Sequence, residues 1–202
     1  MSPASTAYAP GAVPEIRAIV IGASVGGVDA VGVLLAALPK PFAPAVIVVL
    51  HIPANRPSLL ASLFAARCRL PVHEALDKEH VEGGTVYVAP PGYHLQVETD
   101  RSFSLSCEER VNYARPSIDV LFETAADAYG RSLAGVLLTG ANYDGAAGLA
   151  GMKVAGALTI VQDPASAEIP TMPEAAIRRA APDLILPLDE IRSLLARLGE
   201  NR

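Results

Sequence analysis

The sequence has no tryptophan, only 5% aromatic residues, 18% charged residues and two cysteines. Each shortage excludes something. Cys68 and Cys107 lie far apart and can build neither a disulfide framework nor a metal site, so they read as two reduced thiols in a cytosolic protein. There is no basic run, and 16 Lys+Arg against 21 Asp+Glu leave a net charge of −5, so no nucleic-acid partner is expected. Apolar runs of the ~18–20 residues that a spanning helix needs are also missing. The longest, 16–21 and 45–50, have strand length, and no membrane insertion is expected. Residues 1–14 lack the basic start and apolar centre of a signal peptide, and their Ser, Ala and Pro suit a flexible leader. The expected location is the cytoplasm. What is plentiful is Ala, Val and Leu within a 51% apolar chain of 202 residues. That excludes disorder and suits one domain over 15–202, with helices packed closely on a sheet.

Strands and helices alternate along most of the chain. Residues 17–21, 45–50, 133–138, 157–161 and 183–186 read as strands, the first two, after Arg17, as continuous apolar runs covered on both faces. Helices are expected over 28–38, 58–67, 117–129, 146–154, 173–180 and 189–198. Between them, 72–75, 85–89, 94–98 and 102–106 are short alternating segments separated by Gly83-Gly84, Pro90-Pro91-Gly92 and Asp100-Arg101. These are hairpin signals. The expected fold is α/β: a doubly wound, mostly parallel sheet flanked by helices, with an antiparallel hairpin insert in the middle of the chain. A third strand of the main sheet is expected in 72–75 or in 85–89.

In open parallel sheets, ligands collect beyond the carboxyl ends of the strands. Three residues capable of joint chemistry follow three such ends: Ser24, His51 and Asp144. A serine hydroxyl is a poor nucleophile near neutral pH. It needs an imidazole to take its proton and a carboxylate to orient and stabilise that imidazole. The order Ser…His…Asp is no objection, because triads occur in several chain orders. The segment GASVGG at 22–27 stays open to three readings. It matches the G-x-S-x-G turn that exposes a nucleophile. It also matches a dinucleotide loop, although Ser24 replaces the middle glycine and no acidic residue ends the second strand. Third, it could be a turn that only lets helix and strand pack. His51 alone would suit a surface loop, and Asp144 alone would suit an N-cap. Their shared edge is what argues for chemistry.

With these residues in view, AIVIGASVGG at 18–27, LHIP at 50–53, VYVAP at 86–90 with His94, and RPSIDVLF at 115–122 resemble the catalytic domain of the chemotaxis protein-glutamate methylesterases, CheB. So do LTGANYDGAAG at 138–148, TIVQD at 159–163 and the segment 168–177 around Met172-Pro173, and the resemblance runs from about residue 16 to about residue 195. It implies hydrolysis of glutamyl methyl esters on chemoreceptor-like helical proteins with release of methanol, and in some members deamidation of glutamine. It implies Ser24 as nucleophile, His51 as base and later acid, Asp144 as the residue that orients His51, and an oxyanion hole from the backbone N–H groups of Val25 and Ala141. No cofactor and no metal is expected. The family usually has Thr-Gly-Met-Gly where this chain has Thr139-Gly140-Ala141-Asn142, and often Thr where it has Val25. Asn142 suits that place if the backbone there needs a positive φ.

The family's chemotaxis members also carry a receiver domain ahead of the catalytic domain, for which the residues before the first strand leave no room. The chain is then a stand-alone homologue, accessible or regulated by a receiver domain in trans, or a piece of a longer protein. Met1 and the leader favour a natural start. His73, His80 and the Arg178-Arg179 pair beside Glu174 are expected at the surface, Ser117 as an N-cap or, with Arg115, as cleft lining, and His94 at most as cleft lining, without an essential base role. Two other functions stay open. One is a CheB-like binding module without hydrolysis; the other is a Rossmann-type nucleotide-binding domain.

Overall fold

The computed structural model describes residues 15–52 and 58–199. The expected leader, and most of the loop that follows His51, lie outside the described residues. Seven parallel strands form one sheet in the order β3-β4-β2-β1-β7-β8-β9. They are β1 (Ala18–Ala23), β2 (Ala45–Leu50), β3 (Val72–Glu74), β4 (Val86–Val88), β7 (Leu133–Leu137), β8 (Leu158–Gln162) and β9 (Leu184–Leu186). Two more strands, β5 (His94–Val97) and β6 (Phe103–Ser106), pair antiparallel as a separate hairpin.

The apolar runs of β1 and β2 are buried throughout, yet they still alternate. Ala18 and Val20, with Ala45, Ile47 and Val49, face a core that includes Phe122, Leu149 and Met172. Ile19, Ile21 and Ala23, with Val46, Val48 and Leu50, face a second core that includes Leu34, Phe64 and Leu195. A strand with a core on each face has no polar side to show, which is why the sequence there lacks a period of two. Helices α3 (Ile118–Tyr129), α4 (Ala146–Val154) and α5 (Thr171–Ala180) cover the first face. Helices α1 (Gly27–Ala36), α2 (Leu60–Ala65) and α6 (Leu188–Leu198) cover the other. The layers are those of a doubly wound sheet.

One expectation is corrected. Both 72–74 and 86–88 belong to the parallel sheet, so the antiparallel insert shrinks to β5 and β6. The alternation in β3 reflects its half-buried place at the sheet edge and not a hairpin partner. After β1 the chain winds outward through β2 to the β3–β4 side, then returns to β7 on the opposite flank of β1. This reversal places the carboxyl ends of β2, β1 and β7 side by side, and ligand crevices open at such a point.

Candidate active site

Ser24 follows the last residue of β1, His51 follows β2, and Asp144 ends the turn after β7. The sheet register sets them together, with Ala23 opposite Leu50 and Gly22 opposite Leu137. Main-chain hydrogen bonds extend the pairing past the strands: the Ser24 N–H donates to the Thr139 carbonyl at 3.0 Å, and the His51 N–H to the Ala23 carbonyl at 3.3 Å. Thr139 locks the turn further. Its hydroxyl donates to the Val25 carbonyl at 2.9 Å and accepts the Ile169 N–H at 2.9 Å. Gly140 has to be small, because a Cβ there would lie 2.6 Å from the Met172 methyl and 3.0 Å from the Ser24 Cβ.

Asp144 is fully buried. Its Oδ2 lies 2.8 Å from His51 Nε2 and accepts the Ile118 N–H at 2.7 Å. Its Oδ1 accepts the Ser117 hydroxyl at 2.8 Å, the Asn112 amide at 3.0 Å and the Asp119 N–H at 3.2 Å. Two of these donors are main-chain N–H groups in the first turn of α3. The carboxylate therefore occupies a helix N-terminus, where unpaired amides and the macrodipole favour an anion. Burial pushes the Asp144 carboxyl up, but the bonds from His51, Asn112, Ile118 and Ser117 outweigh it and hold the carboxyl below its ordinary range.

The approach of α3 depends on two glycines. A Cβ at Gly22 would lie 2.3 Å from Ile118 Cγ2, and one at Gly145 would lie 2.7 Å from the same carbon. Ile118, the first residue of α3, thus packs against the carboxyl end of β1 and brings its N–H to Asp144. Asp144 does not cap α4, whose N-cap is Gly145 with φ of +90. In place of the bond that its sequence position suggested for α4, its carboxylate serves the first turn of α3, the neighbouring helix on the same face of the sheet.

His51 is nearly buried, with 12% of its side chain exposed. An ionised carboxylate only accepts, so Nε2 carries the hydrogen and Nδ1 the lone pair in the neutral ring. That leaves Nδ1 as the nitrogen able to take a proton. Ser24, His51, Arg110, Arg115 and Asn142 line one cleft of about 420 Å³. Ser24 is half-buried, and the N–H groups of Val25 and Ala141 donate to no acceptor among the described residues.

Other residues divide between expected and missed. Ser117 holds the N-cap position of α3, but its side chain makes no capping bond and its hydroxyl serves Asp144. His94 is buried; Nδ1 accepts the Ser117 N–H at 3.2 Å and Nε2 donates to the Glu109 carbonyl at 3.0 Å. Both nitrogens are thus engaged in buttressing the loop before α3. Arg178 and Glu174 form an exposed pair at 3.6 Å, as expected of a solvated helix face. The residues that the sequence did not disclose are Asn112 and Asp119. The Asn112 amide bridges Asp119 Oδ2 at 2.7 Å and Asp144 Oδ1 at 3.0 Å. Asp119 also accepts the Gly148 N–H at 2.7 Å. Burial pushes its carboxyl up, the Gly148 N–H pulls it down, and the Asp144 charge adds to the rise, so it stays above the ordinary range. Among the described residues, no three His, Cys, Asp or Glu side chains come together as a metal site would require. No helix among them is long and apolar enough to cross a membrane.

Comparison with known proteins places this geometry. The family model described as CheB methylesterase matches residues 19–195. A Leptospira interrogans protein named as a protein-glutamate methylesterase/protein-glutamine glutaminase is 48% identical over 185 residues, which are 92% of this chain and 96% of that one. A Bordetella parapertussis protein of the same designation is 42% identical over 189 residues, 91% of this chain but only 54% of the relative. The crystal structure of the Thermotoga maritima CheB methylesterase catalytic domain superposes with a TM-score of 0.85 at 32% identity, covering 91% of this chain and 98% of that one.

Proposed function

The chain belongs to the CheB methylesterase family, and from that premise we propose that it is a serine hydrolase removing methyl esters from glutamate side chains of chemoreceptor-like helical proteins. Deamidation of glutamine would use the same site. The setting is a chemotaxis or related signalling pathway in the cytoplasm.

The observation that carries the reading is the His51–Asp144 pair at 2.8 Å in a cleft that Ser24 shares. The Ser24 hydroxyl attacks the ester carbonyl and gives its proton to His51 Nδ1. Asp144 stabilises the resulting imidazolium through Nε2. The oxyanion meets the N–H groups of Val25 and Ala141, donors of the kind worth about 3–4 kcal/mol each. The C–O bond to the methoxy group breaks, and methanol leaves with the proton from Nδ1. Water then attacks the acyl-enzyme with His51 again as base, giving the glutamate carboxylate and free Ser24. For a glutamine side chain, ammonia leaves in place of methanol.

Methanol release from a methylated receptor, compared with Ser24→Ala, His51→Ala and Asp144→Asn, tests this reading. Loss in all three is expected. Near-normal release by Ser24→Ala would refute it.

A further inference from the structure

Asn142 stands where the resembling family usually has glycine, and its place in the site is not a backbone one. Positive φ among non-glycine residues occurs at Lys78, Arg101, Asn112, Tyr113 and Ala181, and not at Asn142. The condition under which asparagine would serve as a glycine substitute is therefore not met. Its side chain instead has two defined partners. Oδ1 accepts the Asp144 N–H at 3.2 Å, and Nδ2 lies 3.3 Å from His51 Nδ1. The first contact fixes the amide, because only its oxygen can accept from a main-chain N–H. The NH2 group then faces Nδ1, which the Asp144 bond leaves as the lone-pair nitrogen. That lone pair is the one that has to receive the Ser24 proton.

We propose that Asn142 is a positioning residue that caps the proton-accepting nitrogen of His51 and so restrains Ser24 in the resting enzyme. The inference rests on the hydrolase reading above. Proton transfer from Ser24 to Nδ1 requires the amide hydrogen bond to break. Once Nδ1 is protonated, it presents an N–H to the Asn142 NH2, donor against donor, while Oδ1 stays held by the Asp144 N–H. Asn142 therefore opposes the proton transfer through which acylation passes. Glycine has no such group. Asn142 lines the cleft, and its amide leaves Nδ1 as the Ser24 proton arrives, within the substrate complex.

Two measurements separate this restraint from a merely structural role. The first is the rate at which a fluorophosphonate labels Ser24, alongside kcat and KM for a small glutamyl methyl ester. Asn142→Gly and Asn142→Ala should label about five- to tenfold faster, the factor of one ordinary hydrogen bond. Turnover of the ester should rise with KM unchanged within about twofold. The second uses Asn142→Asp, which keeps the shape and the oxygen that meets the Asp144 N–H but replaces the donor by an acceptor. Its kcat/KM profile should have an acidic limb moved to higher pH by about one unit, because a carboxylate beside Nδ1 favours the imidazolium. Unchanged or slower labelling in folded Asn142→Gly would overturn the proposal. If that variant fails to fold, an unmoved acidic limb in Asn142→Asp overturns it instead. Methanol release by Ser24→Ala would overturn the hydrolase reading itself, whereas its loss beside an unaccelerated Asn142→Gly would refute only the restraint.

Discussion

Asp144→Asn keeps the shape of a buried side chain and removes its charge, and the five donors around that side chain set the cost. An amide accepts on one atom only. With its NH2 in the place of Oδ2, it meets the Ile118 N–H and His51 Nε2. With its NH2 in the place of Oδ1, it meets the Asp119 N–H, the Asn112 amide and the Ser117 hydroxyl. The hydroxyl can rotate, but a main-chain N–H cannot. Each orientation thus leaves one N–H of the first turn of α3 buried against another donor, a penalty of about 1–3 kcal/mol. For a chain of this size that is roughly 2–12 °C in Tm. In the first orientation His51 can restore its bond only by moving the hydrogen to Nδ1, and the nitrogen that has to take the Ser24 proton then has no lone pair. In the second the ring keeps its tautomer but loses the charge that stabilises the imidazolium. A loss of roughly 10⁴-fold in turnover is expected for such a change. Thermal unfolding by circular dichroism and methanol release at neutral pH read the two effects separately. A variant with Tm within about a degree of the parent and turnover within about tenfold would show that the buried charge does neither job.

Acid should weaken the fold through the same carboxylate. The Asp144 carboxyl is held below its ordinary range, so it stabilises the folded state above the unfolded value of about 3.9 and ceases to as pH falls through the folded one. Asp119 acts in the opposite sense, because its carboxyl is raised and its cost is relieved as pH falls. Urea midpoints for the parent and Asp144→Asn should therefore differ at neutral pH and converge below about pH 4; a constant gap would contradict the assigned direction. Gly22→Ala sets a Cβ 2.3 Å from Ile118 Cγ2. It should cost about 1–3 kcal/mol by overpacking and lower turnover as well, since α3 would be displaced from Asp144. Unfolding curves and methanol release together check this, and full activity in a stable variant would show that the close approach is not needed.

Much of this arrangement could be read from the residues, for identifiable reasons. The central strands were legible because β1, β2 and β7 are unbroken apolar runs, and Ser24, His51 and Asp144 stood out as rare polar side chains beyond the ends of such runs. The direction of pairing was less legible. The alternation of β3 is that of any half-buried strand, and only the order of the sheet shows it to be a parallel edge. Least legible were the partners of Asp144. Asn112 reaches it from a loop across 32 positions, with a left-handed φ of 51 that no turn signature marks. The α3 amides come from 25 and 26 positions away, and only the packing of Ile118 on Gly22 and Gly145 brings them near. Ser117 shows how local rules mislead here. It occupies the N-cap position and still spends its hydroxyl on a residue of another loop.

Everything proposed for the site depends on His51 and Asp144 turning the Ser24 hydroxyl into a nucleophile. Intact-mass measurement of the folded protein after exposure to a fluorophosphonate reads that property without needing the natural substrate. A single adduct mapped to Ser24, lost in Ser24→Ala and strongly slowed in His51→Ala, is the expected result. An unlabelled folded protein, or labelling of Ser24 that proceeds equally well without His51, would disprove it.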